Sequence, residues 1–98
     1  MNVNVTISGI GRLHINVSTS INISNDLRLK DFLKILLEKV NDIKEYLDEK
    51  TLRPTPGMLI LLNSIDINLL LKHNPRIKDI IAERNELKIH IIQVSHGG

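Results

Sequence analysis

The apolar residues of this chain change their spacing twice, and those changes limit the folds open to it. Val3, Val5 and Ile7 alternate with Asn2, Asn4, Thr6 and Ser8, the two-residue period of a strand with one buried and one wet face. Leu13, Ile15 and Val17 resume the alternation, and Ile21 and Ile23 keep its parity. Between them Gly9-Ile10-Gly11-Arg12 predicts a tight turn, so the two strands pair as an antiparallel hairpin. The G-x-G in that turn lacks a third glycine and a following helix, which argues against a dinucleotide-binding loop.

From Leu29 the period becomes 3.6. Leu29, Phe32, Leu33, Leu36, Leu37, Val40, Ile43 and Leu47 form one stripe, with Lys30, Asp31, Lys34, Glu38, Lys39 and Lys44 mostly off it. This predicts one long amphipathic helix over Leu29–Leu47, capped from the Ser24-Asn25-Asp26 cluster. Leu52-Arg53-Pro54-Thr55-Pro56-Gly57 ends it, because two prolines cannot continue a helix.

Met58-Leu59-Ile60-Leu61-Leu62 is apolar at every position, so this strand has two apolar faces. Asn63-Ser64-Ile65-Asp66 reads as a turn, and Ile67 with Leu69 to Leu71 as a short edge strand or one helical turn. His73-Asn74-Pro75 is a break, and Ile77, Ile80 and Ile81 fit a brief helical segment. Glu83-Arg84-Asn85-Glu86 is a polar turn into a last strand, where Leu87, Ile89 and Ile91 alternate with Lys88 and His90. The order describes an α+β roll: a mixed sheet of four to five strands with one main helix across one face. A right-handed crossover puts the first and last strands side by side at its centre.

Composition closes several doors. There is no cysteine, which removes disulfides, thiolate catalysis and cysteine-based zinc sites. His14, His73, His90 and His96 are scattered, with no helical pair and no carboxylate at ligand spacing, so no metal site is expected. The net charge of +2 reflects a small excess of Lys and Arg rather than a basic patch. Phe32 and Tyr46 offer little for base stacking, so no direct nucleic-acid partner is expected. Neither a signal peptide nor an apolar run long enough for a bilayer is present, and the N-x-Ser/Thr triplets at Asn4, Asn16 and Asn22 read as polar strand faces. The expectation is a cytoplasmic monomer with no membrane partner.

After Ile91 the chain loses side-chain bulk and finishes Gln93-Val94-Ser95-His96-Gly97-Gly98, a stretch with no Lys, Arg, Asp or Glu. Such an end is thin and pliable, and it could enter a narrow cleft without stranding a side-chain charge. The division this suggests is a domain over residues 1–92 and a flexible tail over 93–98.

Several of these features occur together in one family. The element order, Arg53-Pro54-x-Pro56-Gly57 before the Met58–Leu62 strand, Asn63-Ser64-Ile65-Asp66 after it, and Val94-Ser95-His96-Gly97-Gly98 resemble the ubiquitin-related modifier family. Its relatives are the sulfur carriers of molybdopterin and thiamine synthesis and the archaeal small modifiers. The threonine that members often place at the helix start is replaced by Arg28, and their Asp-Gly-Asp turn by Glu83-Arg84-Asn85-Glu86. The resemblance implies a β-grasp fold and a Gly98 carboxylate adenylated by a ubiquitin-activating-type enzyme that uses ATP. The protein itself then binds no cofactor and is a carrier and substrate rather than an enzyme. Gly97 lets the backbone lie close to ATP, while Val94, Ser95 and His96 lead into the partner. Sulfur-transfer proteins, for tRNA thiolation or cofactor sulfuration, and lysines of target proteins would receive the activated end.

The sheet face away from the helix is the expected docking surface. In the last strand it carries His90 and Ile92, with Val94 beyond, and in the third strand the parity expected there is Met58, Ile60 and Leu62. A second reading uses that face alone: a β-grasp adaptor whose tail is never activated.

Overall fold

The computed structural model describes residues 1–94. Strand β1 (Asn2–Ile10) and strand β2 (Asn16–Asn22) form the expected antiparallel hairpin, with Val3 opposite Ile21 and Ile7 opposite Val17. The turn falls two residues later than expected. Gly9 lies within β1, its N–H donating to the carbonyl of Ile15 at 2.8 Å, and the chain reverses at Gly11, where φ is +82°. The loop folds so tightly onto Gly9 that a Cβ there would stand 2.6 Å from that of Leu13, so no larger residue fits.

Helix α1 runs Leu29–Lys39, shorter than the periodicity predicts. The backbone leaves helical geometry at Val40 (φ −119°, ψ 87°), where a β-branched residue meets Asn41 and Asp42, whose side chains compete for backbone hydrogen bonds. A 3₁₀ turn over Asn41–Glu45 follows and keeps Ile43 and Leu47 in the core, which is why their spacing continued the stripe. The cap is also not where it was expected. Arg28 is the N-cap and makes no side-chain capping bond; the N–H of Lys30 donates instead to Oδ1 of Asn74 at 3.0 Å.

Strand β3 (Met58–Leu62) matches its predicted span. Asn63 and Ser64 both have positive φ, 46° and 71°, which makes a two-residue hairpin into the short strand β4 (Ile65–Asp66). The next stretch is helical: α2 spans Ile67–His73, with the Asp66 carboxylate accepting from the N–H of Asn68 and left-handed Asn74 closing the helix. After 3₁₀ turns at Ile77–Asp79 and Glu83–Asn85 comes β5 (Glu86–Gln93).

The five-stranded sheet has the order β2-β1-β5-β3-β4, with β1 and β5 parallel at its centre and every other pairing antiparallel. Val3, Val5, Ile7, Ile21, Leu87, Ile89 and Ile91 face the stripe of α1, and all are buried. This is a β-grasp arrangement, α+β with two helices. No helix among the described residues is long and apolar enough to cross a membrane.

Candidate functional site

The sheet face opposite α1 is set by strand register. Side chains directly opposite one another in neighbouring strands share a face. Ile60 lies opposite Ile91 and Leu62 opposite Ile89, and these residues point into the core. The outward positions of β3 are therefore Leu59, opposite Ile92, and Leu61, opposite His90. On the other flank of β5, Ile10 is level with Ile92 and Ser8 with His90. Two short rows result, Ile10–Ile92–Leu59 and Ser8–His90–Leu61, with Val94 following on the same parity of the chain.

This corrects the expected patch in part. His90 and Ile92 lie on the outer face, half-buried. Ile60 and Leu62 do not; they are 1% and 0% exposed. Met58 shares their parity, lies opposite Gln93 and packs half-buried against the core. A strand apolar at every position carries no mark of which parity is inward, and a one-residue change of register exchanges the two faces. Leu59, Leu61 and Ile10 replace the misplaced residues. Ile10 did leave a signal: it stands on the parity that Asn4, Thr6 and Ser8 make polar, and it is 46% exposed.

β5 is held on both sides nearly to the end of the described residues. Its register with β3 runs to Gln93, and the N–H of Val94 donates to the carbonyl of Gly57 at 2.9 Å. The tail boundary drawn at Gln93 therefore falls within the paired strand. Gly57 (φ +84°) supplies that acceptor immediately before β3, with a backbone conformation that suits glycine. Ser95, His96, Gly97 and Gly98, where the reactive end is expected, lie outside the described residues.

Histidines and carboxylates gather into no metal-binding set among the described residues. His14 and His73 are exposed at separate places. Among the described residues two groups have shifted ionisation. Burial, then the neighbouring Glu45, pushes the Tyr46 phenol up. Hydrogen bonds from the N–H groups of Thr51 and Lys50 hold the Asp48 carboxyl below its ordinary range. Asp48 organises the loop before β3.

The solution structure of Urm1 from Trypanosoma brucei superposes on this chain with a TM-score of 0.54, covering 99% of this chain and 97% of that one. The chain has the Urm1 fold. The two sequences are 18% identical, so the likeness rests on architecture rather than on shared side chains. No protein-family model and no curated protein sequence matches the chain.

Proposed function

We propose that this protein is a ubiquitin-like carrier of the ubiquitin-related modifier type, activated at the carboxylate of Gly98 by an adenylating enzyme. One observation carries the reading. The Val94-Ser95-His96-Gly97-Gly98 sequence follows directly on the central strand of a β-grasp domain, and that strand is paired through Gln93 beside outward-facing Leu59 and Ile92. The rigid domain gives an activating enzyme something to grip, and the residues beyond it carry no charged side chain.

The chemistry follows from the carboxylate. Ionised, with a pKa near 3.5, it is a poor electrophile at neutral pH. Its oxygen attacks the α-phosphorus of ATP, pyrophosphate leaves, and the resulting acyl-adenylate has AMP as a leaving group. A persulfide of a sulfur-transfer protein then displaces AMP to give an acyl disulfide, and a thiol of that partner cleaves its S–S bond, releasing the thiocarboxylate and leaving a disulfide on the partner. A lysine amine instead displaces AMP, with loss of a proton, to give an isopeptide bond. With no cysteine in the chain, carried sulfur sits on the Gly98 carbonyl carbon. The chain supplies the carboxylate and the docking face, and the partner supplies ATP and catalysis.

The test is ATP–pyrophosphate exchange with a cognate activating enzyme, read together with intact mass. Wild type is expected to support exchange and, with a sulfur donor, to gain the mass of oxygen-for-sulfur replacement. Deleting Gly98 abolishes exchange, because the shortened carboxylate no longer reaches the α-phosphate. Gly97→Ala retains the carboxylate and slows the reaction through the added Cβ. A truncated chain activated as fast as the full one overturns the proposal and leaves the adaptor reading in its place.

A further inference from the structure

Basic residues far apart in sequence come together on the helix side of the molecule. Lys30 from the first turn of α1, Arg53 from the loop before β3 and Lys72 from the last turn of α2 line one concavity of about 290 Å³, with Thr51 and Leu71. The lining contains no carboxylate. The expectation that the excess of Lys and Arg is dispersed is corrected here, because these residues are neighbours only after folding.

The backbones bearing these cations are braced. Asn74 joins two of them: it closes α2, just after Lys72, and its Oδ1 takes the N–H of Lys30. The third is fixed by Leu52, which sits between Thr51 and Arg53 with φ +62° and only 5% exposure, so its two neighbours are turned outward. The Arg53 carbonyl accepts from the N–H of Asp48 at 2.8 Å, and Thr51 Oγ1 accepts from the N–H of Arg53, which ties the two residues to one loop. Among the described residues the ion pairs are Lys44–Glu49 and Arg76–Asp79, so Lys30, Arg53 and Lys72 have no carboxylate within pairing distance. A neighbouring concavity lined by Lys34, Leu37, Glu38, Lys44 and Glu49 shows the contrast, since its cations and anions balance.

We propose that this concavity binds a small anion carrying two phosphoryl groups. Arg53 offers a planar fork suited to phosphate oxygens, and the two lysines add point charges. One phosphoryl group carries roughly −1.5 to −2 at neutral pH, less than the charge of the three cations, so a diphosphate is the better match. The site lies on the opposite side of the sheet from the Leu59–Ile92 row, and the inference is independent of activation at Gly98.

The test is an amide NMR titration of the full chain with inorganic pyrophosphate at fixed ionic strength, with inorganic phosphate and ADP as further arms. Saturable shifts are expected at Lys30, Thr51, Arg53, Leu71 and Lys72, with tighter binding of pyrophosphate than of phosphate. Arg53→Gln and Lys72→Gln, both at exposed positions, should each weaken binding about tenfold, with weaker binding at higher salt. Lys34→Gln, in the balanced concavity, should leave it unchanged. ADP binding more tightly than pyrophosphate supports the site and assigns it to the diphosphate of a nucleotide; equal or weaker binding supports free diphosphate. Shifts that never saturate, equal shifts around Lys34 and Lys44, unchanged affinity in both site variants, or phosphate binding as tightly as pyrophosphate would overturn the proposal.

Discussion

The side-chain oxygen of Asn74 accepts the backbone N–H of Lys30 at 3.0 Å, across 44 residues of sequence. Asn74 is therefore the closing residue of α2, in left-handed geometry (φ 45°), and the cap that α1 lacks locally. Its carbonyl also accepts from the Arg28 guanidinium at 3.0 Å. Asn74→Gly keeps the backbone geometry and loses the cap, which should cost about 0.5–2 kcal/mol in urea denaturation. Asn74→Ala loses the cap and also pays the left-handed penalty of about 1–2 kcal/mol, so it should be the less stable of the two.

Asn63 is a second hub. Its Nδ2 donates to the carbonyls of Ile80 and Glu86, and its Oδ1 accepts the N–H of Lys88 at 2.7 Å, tying the β3–β4 turn to β5. Asn63→Ala should destabilise by about 1–3 kcal/mol through the unpaired groups it leaves. Ser64→Gly in the same turn, at φ 71°, should stabilise by roughly 0.5–1 kcal/mol, because glycine holds that conformation without a Cβ clash. Chemical denaturation of both variants checks the pair.

Core and outer-face positions should separate in a mutational scan. Leu33→Ala and Leu36→Ala, at residues 1% and 0% exposed, should each cost about 2–5 kcal/mol. Ile60→Asp should unfold the protein, since it buries a charge opposite Ile91. Leu59→Gln and Ile92→Gln should leave a folded domain, yet lower kcat/KM for acyl-adenylate formation about tenfold or more if this row anchors the activating enzyme. Thermal melts run beside the exchange assay measure both effects.

Stability should fall in acid partly through Asp48. Its folded pKa is lowered by N–H groups of Thr51 and Lys50 that bond the carboxylate. A depressed folded value contributes stability above the unfolded pKa of about 3.8, and that contribution disappears as pH falls through the folded value. Asp48→Asn should be less stable than wild type at neutral pH, and the gap should close well below pH 3.8. Urea midpoints across pH for the two proteins test the sign.

Local spacing made much of the fold legible. The alternation of Val3, Val5 and Ile7 and of Leu87, Ile89 and Ile91 marks the central strands, and the all-apolar Met58–Leu62 segment marks β3 with its observed bounds. What escaped was decided by distant partners. The cap on Lys30 comes from Asn74, so Asn25 and Asp26 could not reveal it. The inward parity of β3 is chosen by Ile89 and Ile91 across the ladder, not by anything within Met58–Leu62. The gathering of Lys30, Arg53 and Lys72 depends on where two helices and a loop finish in space.

The parallel pairing of β1 with β5 has a consequence for how this protein is made. Val5 lies beside Leu87 and Ile10 beside Ile92, while β3 reaches β1 only through β5 between them. Until that strand has emerged from the ribosome, the β1–β2 hairpin and the β3–β4 hairpin have no common neighbour, and the apolar stripe of α1 has an incomplete sheet to cover. Closing such a long-range contact is slow compared with forming a hairpin. The domain is thus assembled only after nearly all of residues 1–92 have been translated, and a nascent chain stalled before β5 would leave its core open to chaperones and proteases.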